Sequence, residues 1–191
     1  MANLFSIQVS GQIESANIPE YDNLYCKFGI HHGPDWTLIS GIDEGITQLA
    51  RSGESGTFTA VADVKPCVWN FPIDIAFKST NVYGWPSILI TVYGFDFLGR
   101  DVLRGYGSIR IPSTAGRYTE YVNLFTPVST SPFYQFYGWL MGRSPEFLDA
   151  KFAAKSEGRE MTRVQSHGSV KLTFSVITKD MGQCGYVTVN K

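Results

Sequence analysis

The sequence predicts an antiparallel all-β fold of about eight strands arranged as a β-sandwich. The chain contains 19 glycines and nine prolines, which divide it into short segments. These segments are rich in Val, Ile, Phe and Tyr and often alternate apolar with polar residues, whereas few stretches have helical periodicity. A chain of 191 residues that is 43% hydrophobic can bury one core. We therefore expect residues 1–191 to form one domain.

Eight segments have the composition of half-buried strands. In the first of them Phe5, Ile7 and Val9 share one face, as alternate residues of a strand do. The eight segments are, in order, Leu4–Ile13, Asn23–Ile30, Thr57–Val64, Cys67–Phe77, Ser87–Tyr93, Leu103–Ile111, Tyr118–Phe125 and Gly168–Thr178. The long stretch between the second and third segments, residues 35–56, is weakly patterned and is predicted to be a mobile loop.

One segment before the last predicted strand has helical periodicity instead. Ser131 and Pro132 suit the N-cap and the first position of a helix. The apolar residues that follow recur with the i, i+3, i+4, i+7, i+8 spacing of one helix face, at Phe133, Phe136, Tyr137, Leu140 and Met141. A second short helix is predicted from Ser144 to Gly158. We therefore expect a short helical insertion at about residues 131–158.

The charge balance argues against several classes of partner. Sixteen Lys and Arg against 17 Asp and Glu leave a net charge of -1. No overall field therefore favours nucleic acid or an anionic membrane, and any basic site must be local. Apolar and polar residues alternate over residues 1–10, which is typical of a strand, whereas a signal peptide has a basic start and an unbroken apolar run. No window reaches the roughly 18–20 apolar residues of a spanning helix. We expect a cytoplasmic protein with reduced thiols, because Cys26, Cys67 and Cys184 are odd in number and far apart.

The sequence lacks the motifs of common catalytic sites. It contains neither the Gly-x-x-x-x-Gly-Lys-Ser/Thr loop that binds phosphates nor the Gly-x-Ser-x-Gly turn that presents a nucleophilic serine. His31, His32 and His167 stand beside or near glycines in predicted turns, where solvated side chains are the usual outcome. We therefore predict a protein that is not an enzyme and binds no cofactor.

Three stretches, in order along the chain, resemble the C2 domain, an eight-stranded sandwich that often binds lipid or partner proteins. They are 21–28 (YDNLYCKF), 65–71 (KPCVWNF) and 88–96 (ILITVYGFD), the last followed by Asp101 and by 105–111 (GYGSIRI). The resemblance implies a C2-like fold and places Trp69 in the core of the sandwich.

The same resemblance raises the possibility of a calcium site. Asp22, Asp96 and Asp101 stand near the positions of the carboxylates in calcium-binding C2 loops. The Asp-x-Asp pair of those loops reads Gly94-Phe95-Asp96 here, so one carboxylate is missing, and Asp101 is one residue short of the usual spacing. Calcium takes about six to eight oxygen ligands. We therefore assign no metal site, keep these three residues as weak calcium-loop candidates, and expect them to shape loops through hydrogen bonds.

The chain resembles one branch of the C2 family more closely, the B9-type C2 domain of the ciliary transition zone. The segments that carry this resemblance are 9–16 (VSGQIESA), 68–74 (VWNFPID), 77–81 (FKSTN), 83–86 (YGWP), 105–107 (GYG), 139–143 (WLMGR) and 158–164 (GREMTRV). The resemblance implies a non-enzymatic scaffold subunit of the tectonic-like (Meckel syndrome) complex, which supports the ciliary diffusion barrier, ciliogenesis and Hedgehog signalling. The implied partners are the other two B9-domain proteins and, through the complex, the tectonics and other transition-zone membrane proteins. The implied location is the cytoplasm, the cytoskeleton and the basal body or transition zone of the cilium.

Two groups of residues near the helical insertion are candidates for partner contact. Tyr134 and Trp139 lie off the predicted apolar stripe, which leaves either packing on the second helix or contact with a partner. Arg143, Arg159 and Arg163 surround the insertion. They form a candidate basic patch for acidic partners or phosphoinositide head groups, with scattered solvated arginines as the alternative.

The alternative function is a peripheral, calcium-independent phospholipid-binding C2 domain. In that case Trp36, Phe95 and Phe97 would carry aromatic rings from their loops into the membrane interface. Binding to acidic vesicles would distinguish this function from a protein-interaction module.

Overall fold

The structure, a computed structural model, describes residues 4–52, 66–96, 98–128 and 163–186. Most of these residues lie in nine strands, namely β1 (Phe5–Asn17), β2 (Leu24–His31), β3 (Thr37–Ser40), β4 (Glu44–Ile46), β5 (Cys67–Ser79), β6 (Ser87–Phe95), β7 (Asp101–Arg110), β8 (Gly116–Pro127) and β9 (Val164–Lys179). A 3-10 helix, Gly182–Cys184, follows β9. All of the strand pairs are antiparallel. The antiparallel all-β prediction is confirmed.

Two of the nine strands were not predicted from the sequence. Seven of the eight predicted segments correspond to β1, β2 and β5–β9. The predicted strand Thr57–Val64 and the predicted helical insertion at 131–158 lie outside the described residues. The additional strands β3 and β4 occupy the stretch that we expected to be a mobile loop, and the described residues contain nine strands, seven of them predicted.

The strands form one continuous ladder in the order β3-β5-β1-β9-β8-β7-β6-β2-β4. Strand β1 lies between β5 and β9 and pairs with both along almost its whole length. In contrast, β7 and β8 share a single paired position, Tyr106 opposite Phe125. At this narrow junction the sheet curls, so that β3, β5, β1, β9 and β8 form one layer and β7, β6, β2 and β4 form the other.

The core lies between these two layers. Alternation along the strands directs one side chain in two inwards, and Ile7, Leu24, Ile90 and Phe174 are buried together in one cluster. Trp69 belongs to the same cluster, as predicted, and its indole Nε1 donates a hydrogen bond to the carbonyl oxygen of Leu24 at 3.0 Å. Each fully buried aliphatic side chain contributes about 1.5–3 kcal/mol relative to exposure.

Aromatic rings fill the end of the core where β1 begins. The ring of Phe5 lies 5.5 Å from Trp36 and 6.5 Å from Trp85, and the two indoles are 5.0 Å apart in an edge-to-face arrangement. Both indoles donate hydrogen bonds, Trp36 to the carbonyl of Tyr83 at 2.8 Å and Trp85 to that of Ile111 at 2.7 Å. Buried indole N–H groups need such acceptors, so these bonds fix the loops that supply them.

The three thiols are free, in keeping with the prediction of reduced cysteines. Cys26 and Cys67 are buried, and Cys184 is half-buried. Burial raises the pKa of the Cys26 and Cys67 thiols above the ordinary value. These two cysteines therefore stay protonated and serve as small packing residues.

Candidate functional site

Loops 18–23 and 96–100 meet at one end of the sandwich, which we call the loop end. Leu24 lies opposite Gly94 in the β2–β6 register, so the residues just before β2 and just after β6 are neighbours. Asp22 and Asp96 stand at these two positions. Among the described residues, the sequence-based candidates Asp22, Asp96, Asp101 and Phe95 therefore lie at one end of the molecule, whereas Trp36 does not.

The carboxylate of Asp22 anchors the backbone of two segments. Its Oδ1 accepts hydrogen bonds from the N–H of Ser52 at 2.7 Å and from the N–H of Asn23 at 2.9 Å. The Ser52 bond is the main reason that the pKa of Asp22 is lowered. Asn23 itself adopts a left-handed conformation, with φ of 57°. Through these two hydrogen bonds, Asp22 connects the turn before β2 to the backbone at Ser52.

Asp96 closes the turn between β6 and β7. Its Oδ1 accepts the N–H of Leu98 at 2.8 Å and the N–H of Arg100 at 2.9 Å, while Oδ2 accepts the Arg100 guanidinium at 2.8 Å. These donors, led by the Arg100 backbone, lower the pKa of Asp96. Both oxygens of the Asp96 carboxylate therefore accept hydrogen bonds from residues of this turn.

Asp101, the third calcium candidate, begins β7 as an exposed residue opposite Phe95. Within residues 4–52, 66–96, 98–128 and 163–186, no three His, Cys, Asp or Glu side chains come together in a group that suits a metal ion. The oxygens of Asp22 and Asp96 point instead at backbone N–H groups. This arrangement suits loop-shaping hydrogen bonds rather than a cluster of free ligands.

The β6–β7 turn also presents apolar side chains to solvent. Phe95 is 40% exposed and Leu98 is 62% exposed. Phe97, another lipid candidate, lies outside the described residues. Next to the turn, the Arg104 guanidinium stacks 3.8 Å above the Tyr21 ring and donates to the carbonyl of Phe95 at 3.0 Å. The base of the turn is thus rigid while its tip is apolar and exposed.

Trp36, the remaining lipid candidate, occupies the core at the opposite end. It is 3% exposed, and its ring contacts Phe5, Phe77 and Trp85. The indole N–H already donates to Tyr83. A side chain in this position does not reach a membrane surface, so Trp36 serves the fold.

Four of the five partner candidates, Tyr134, Trp139, Arg143 and Arg159, lie outside the described residues. Arg163 is described and exposed. Its carbonyl accepts the N–H of Val128 at 2.9 Å, just beyond the last β8–β9 pair. Arg163 therefore stands where β9 begins, with its side chain available to solvent.

Sequence reasoning missed an exposed apolar surface on residues 37–50, which we call the strap. It comprises β3, β4 and the residues around them. Ile39, Ile42, Ile46 and Leu49 are exposed along it. The five leucines and isoleucines of this stretch were the available signal, since a mobile polar loop rarely carries so many.

Comparisons with known proteins agree with the sequence resemblance. A family model described as "Ciliary basal body-associated, B9 protein" matches residues 7–177. The chain is 50% identical over 186 residues to B9 domain-containing protein 1 of Xenopus laevis, which covers 97% of this chain and 90% of that protein. Its identity to B9 domain-containing protein 1 of Homo sapiens is 49% over 187 residues, covering 97% and 88%.

A second group of relatives is more distant. B9 domain-containing protein 2 of Xenopus laevis is 29% identical over 179 residues, covering 94% of this chain and 96% of that protein. Among solved structures, the C2A domain of plant extended synaptotagmin 1 matches with a TM-score of 0.40 and 10% identity, covering 89% of this chain and 92% of that chain. In the part of the chain that the structure describes, no helix has the length and apolar character to cross a membrane.

Proposed function

The chain belongs to the family of ciliary basal body-associated B9 proteins, and from this membership we propose that it is a non-enzymatic scaffold subunit of the tectonic-like (Meckel syndrome) complex at the ciliary transition zone. In this role it supports ciliogenesis, the ciliary diffusion barrier and Hedgehog signalling. Its proposed partners are the other two B9-domain proteins and, through the complex, the tectonics and other transition-zone membrane proteins. Its proposed location is the cytoplasmic side of the basal body and transition zone, within the cytoskeleton.

One observation carries this proposal: 50% identity to a B9 domain-containing protein 1 extends over 97% of the chain. Similarity over nearly the whole chain supports shared partners as well as a shared fold. The loop end supports the proposal as well, because Asp22 and Asp96 hold turns in place instead of presenting free carboxylates. An interaction module fits this arrangement better than a calcium sensor does.

Rescue in ciliated cells tests the proposal. We expect the tagged chain, expressed in cells that lack their own B9 domain-containing protein 1, to concentrate between the basal body and the axoneme and to restore both ciliation and the Hedgehog response. A folded chain that stays diffuse and restores neither would contradict the proposal. The Gly99→Ala variant, which alters an exposed turn, is a matched control that should rescue like the wild type.

We also propose that residues of the predicted insertion contact the partners. Trp139 and Arg143, with Tyr134, Arg159 and Arg163 nearby in sequence, supply the aromatic and guanidinium groups that dominate many interfaces. A Trp139→Ala, Arg143→Ala double variant with an unchanged melting temperature should capture less of the other B9-domain proteins from solution than the wild type. Unchanged capture would remove this segment from the proposed contacts.

The β6–β7 turn favours a second function, calcium-independent binding to phospholipid. Phe95 and Leu98 are exposed at this turn. Exposed apolar side chains suit the interfacial layer of a membrane. Phosphoinositide vesicles should then sediment the wild type equally in calcium and in chelator, and a Phe95→Ser, Leu98→Ser variant should stay in solution. Binding that persists in this variant would contradict a role for the turn.

A further inference from the structure

The strap, residues 37–50, joins the two edges of the sheet. Strand β3 pairs with β5 and β4 pairs with β2, and these two strands stand at the two ends of the strand order. The outer sides of β3 and β4 have no paired strand within the described ranges. The strap therefore lies where both layers of the sandwich end.

Hydrogen bonds hold the strap firmly on β2. The Asp43 carbonyl accepts the N–H of Ile30 at 2.8 Å, and the Thr47 hydroxyl accepts the N–H of Cys26 at 2.9 Å. Leu24 and Ala50 exchange two backbone bonds, both 2.9 Å long. The exposure of apolar side chains on the strap is therefore a property of a fixed segment.

Two glycines bring the strap close to its neighbours. Gly41 has φ of 100°, and a Cβ at this position would lie 2.2 Å from the carbonyl oxygen of Asp74. A Cβ on Gly45 would lie 2.4 Å from the Phe28 ring. At Gly41 the backbone of the strap lies against β5, and at Gly45 it lies against the Phe28 ring of β2. The residues next to these two glycines remain exposed.

Four aliphatic side chains of the strap stay in solvent. Ile39 is 55% exposed, Ile42 70%, Ile46 59% and Leu49 47%. Exposed aliphatic side chains surrounded by polar residues are typical of interaction sites on soluble proteins.

The charges around this surface have both signs. Asp43 and Glu44 belong to the strap, Lys27 lies opposite Ile46 in the β2–β4 register, and Lys78 lies opposite Thr37 in the β3–β5 register. A mixed rim does not complement a nucleic acid or an anionic membrane, which carry one sign. It complements a nearly neutral domain, of which this chain, with a net charge of -1, is itself an example.

We propose that the strap is the docking surface for the β-sandwich of a different B9-domain protein, rather than for a second copy of this chain. The outer edges of β3 and β4, which are unpaired among the described residues, suit a β-rich neighbour, because an edge strand pairs most readily with another strand. The four aliphatic residues form the apolar centre of the interface and the mixed charges form its rim. The inference rests on the proposed function, since it specifies where a B9-domain partner binds.

Capture of purified B9 domain-containing protein 2 from the same organism tests the inference. Ile42→Asp is the variant of choice, because Ile42 lies between β3 and β4 and is highly exposed. Tyr121→Asp is the matched control, since Tyr121 is also highly exposed and lies on β8, four positions from both β3 and β4 in the strand order. We expect Ile42→Asp to weaken binding at least about tenfold at an unchanged melting temperature, and Tyr121→Asp to bind like the wild type.

Other results would overturn the inference in distinguishable ways. If the wild type captures the partner and Ile42→Asp captures it equally, the strap is not the docking surface, although the proposed function stands. This conclusion also requires that the double variant Ile39→Ser, Leu49→Ser captures the partner as well as the wild type does. If the wild type captures no B9-domain protein, the proposed function fails and the inference fails with it. Self-association of the wild type that excludes the partner would overturn the proposed occupant.

Discussion

The indole Nε1 of Trp69 in β5 donates a hydrogen bond to the carbonyl oxygen of Leu24 in β2, and both residues are buried. The bond connects the two layers of the sandwich directly, beside the aliphatic core. It also satisfies the first carbonyl of β2, which lies away from water.

Replacing Trp69 by Phe should lower the free energy of unfolding by about 2 kcal/mol. The variant keeps an aromatic ring but removes one of the two donors to the Leu24 carbonyl, which retains only the N–H of Ala50, and it creates a small cavity. Urea unfolding measures the change. The neighbouring Val68 is about half exposed, so Val68→Ala should cost less than about 1 kcal/mol. Equal effects for the two variants would mean that the bond between the layers contributes little.

Gly84→Ala should lower the free energy of unfolding of the protein by about 3 kcal/mol. Gly84 lies at the end of the core that the aromatic rings fill. Gly84 has φ of 65°, and an added Cβ would lie 2.4 Å from the Cα of Gly33, so backbone strain and a steric clash act together. Gly99 has φ of 75° but no atom within 4 Å of an added Cβ. Gly99→Ala should therefore cost about 1 kcal/mol, from backbone strain alone. Thermal unfolding of the pair separates the two effects, and a larger loss for Gly99→Ala would contradict the packing described here.

Asp22→Asn should destabilise the protein most at neutral pH. Hydrogen bonds from Ser52 and Asn23 lower the pKa of the Asp22 carboxyl in the folded protein. Its charged form therefore contributes stability above the unfolded pKa of about 3.9, and this contribution is lost as the pH falls through the lower folded pKa. Because Asp22 is exposed, solvent screening limits the contribution to about 1 kcal/mol or less.

Melting temperatures of the Asp22→Asn variant and the wild type, measured between pH 7 and pH 2, check this expectation. The difference between the two proteins should be constant down to about pH 5 and should shrink in more acidic solution. A difference that grows as the pH falls would contradict the assigned role of the carboxylate.

Calcium should leave the melting temperature of the protein unchanged. A ligand that binds only the folded state raises stability in proportion to the logarithm of its concentration above the dissociation constant. Asp22 and Asp96 bond to backbone N–H groups instead of facing a shared site, so no such increase is expected. Asp96→Asn should lower the melting temperature equally in millimolar calcium and in chelator. A rise with calcium that this variant abolishes would establish a metal site.

Alternation of apolar residues was sufficient to predict the long strands. Strand β9, for example, buries Val170, Leu172, Phe174 and Val176 on one face, and such a pattern is visible in the sequence alone. The strap gave no comparable pattern, because β3 has four residues and β4 has three. Their pairing depends on contacts with β5 and β2, which are distant in sequence, and local propensity does not report such contacts.

The candidate site was predictable only in part. Asp22 and Asp96 were recognised as residues of one end, and hydrogen bonding to their loops was expected from Asp in turns. Trp36 was predicted to lie in a lipid-contacting loop only under the alternative, phospholipid-binding function. Its burial comes from Phe5 and Trp85, which are 31 and 49 positions away. The surface of the strap escaped notice because exposure of an isoleucine depends on what packs over it.

The position of β9 has a consequence for synthesis of the protein. Among the described residues it is the last strand in sequence, yet it lies between β1 and β8. Synthesis must therefore reach residue 179 before the larger layer is complete. Until then β1 lacks its neighbour β9. A premature stop codon before Val164 would leave both neighbours with bare edges, which are templates for aggregation. Such a product is expected to be degraded instead of acting as a shortened subunit.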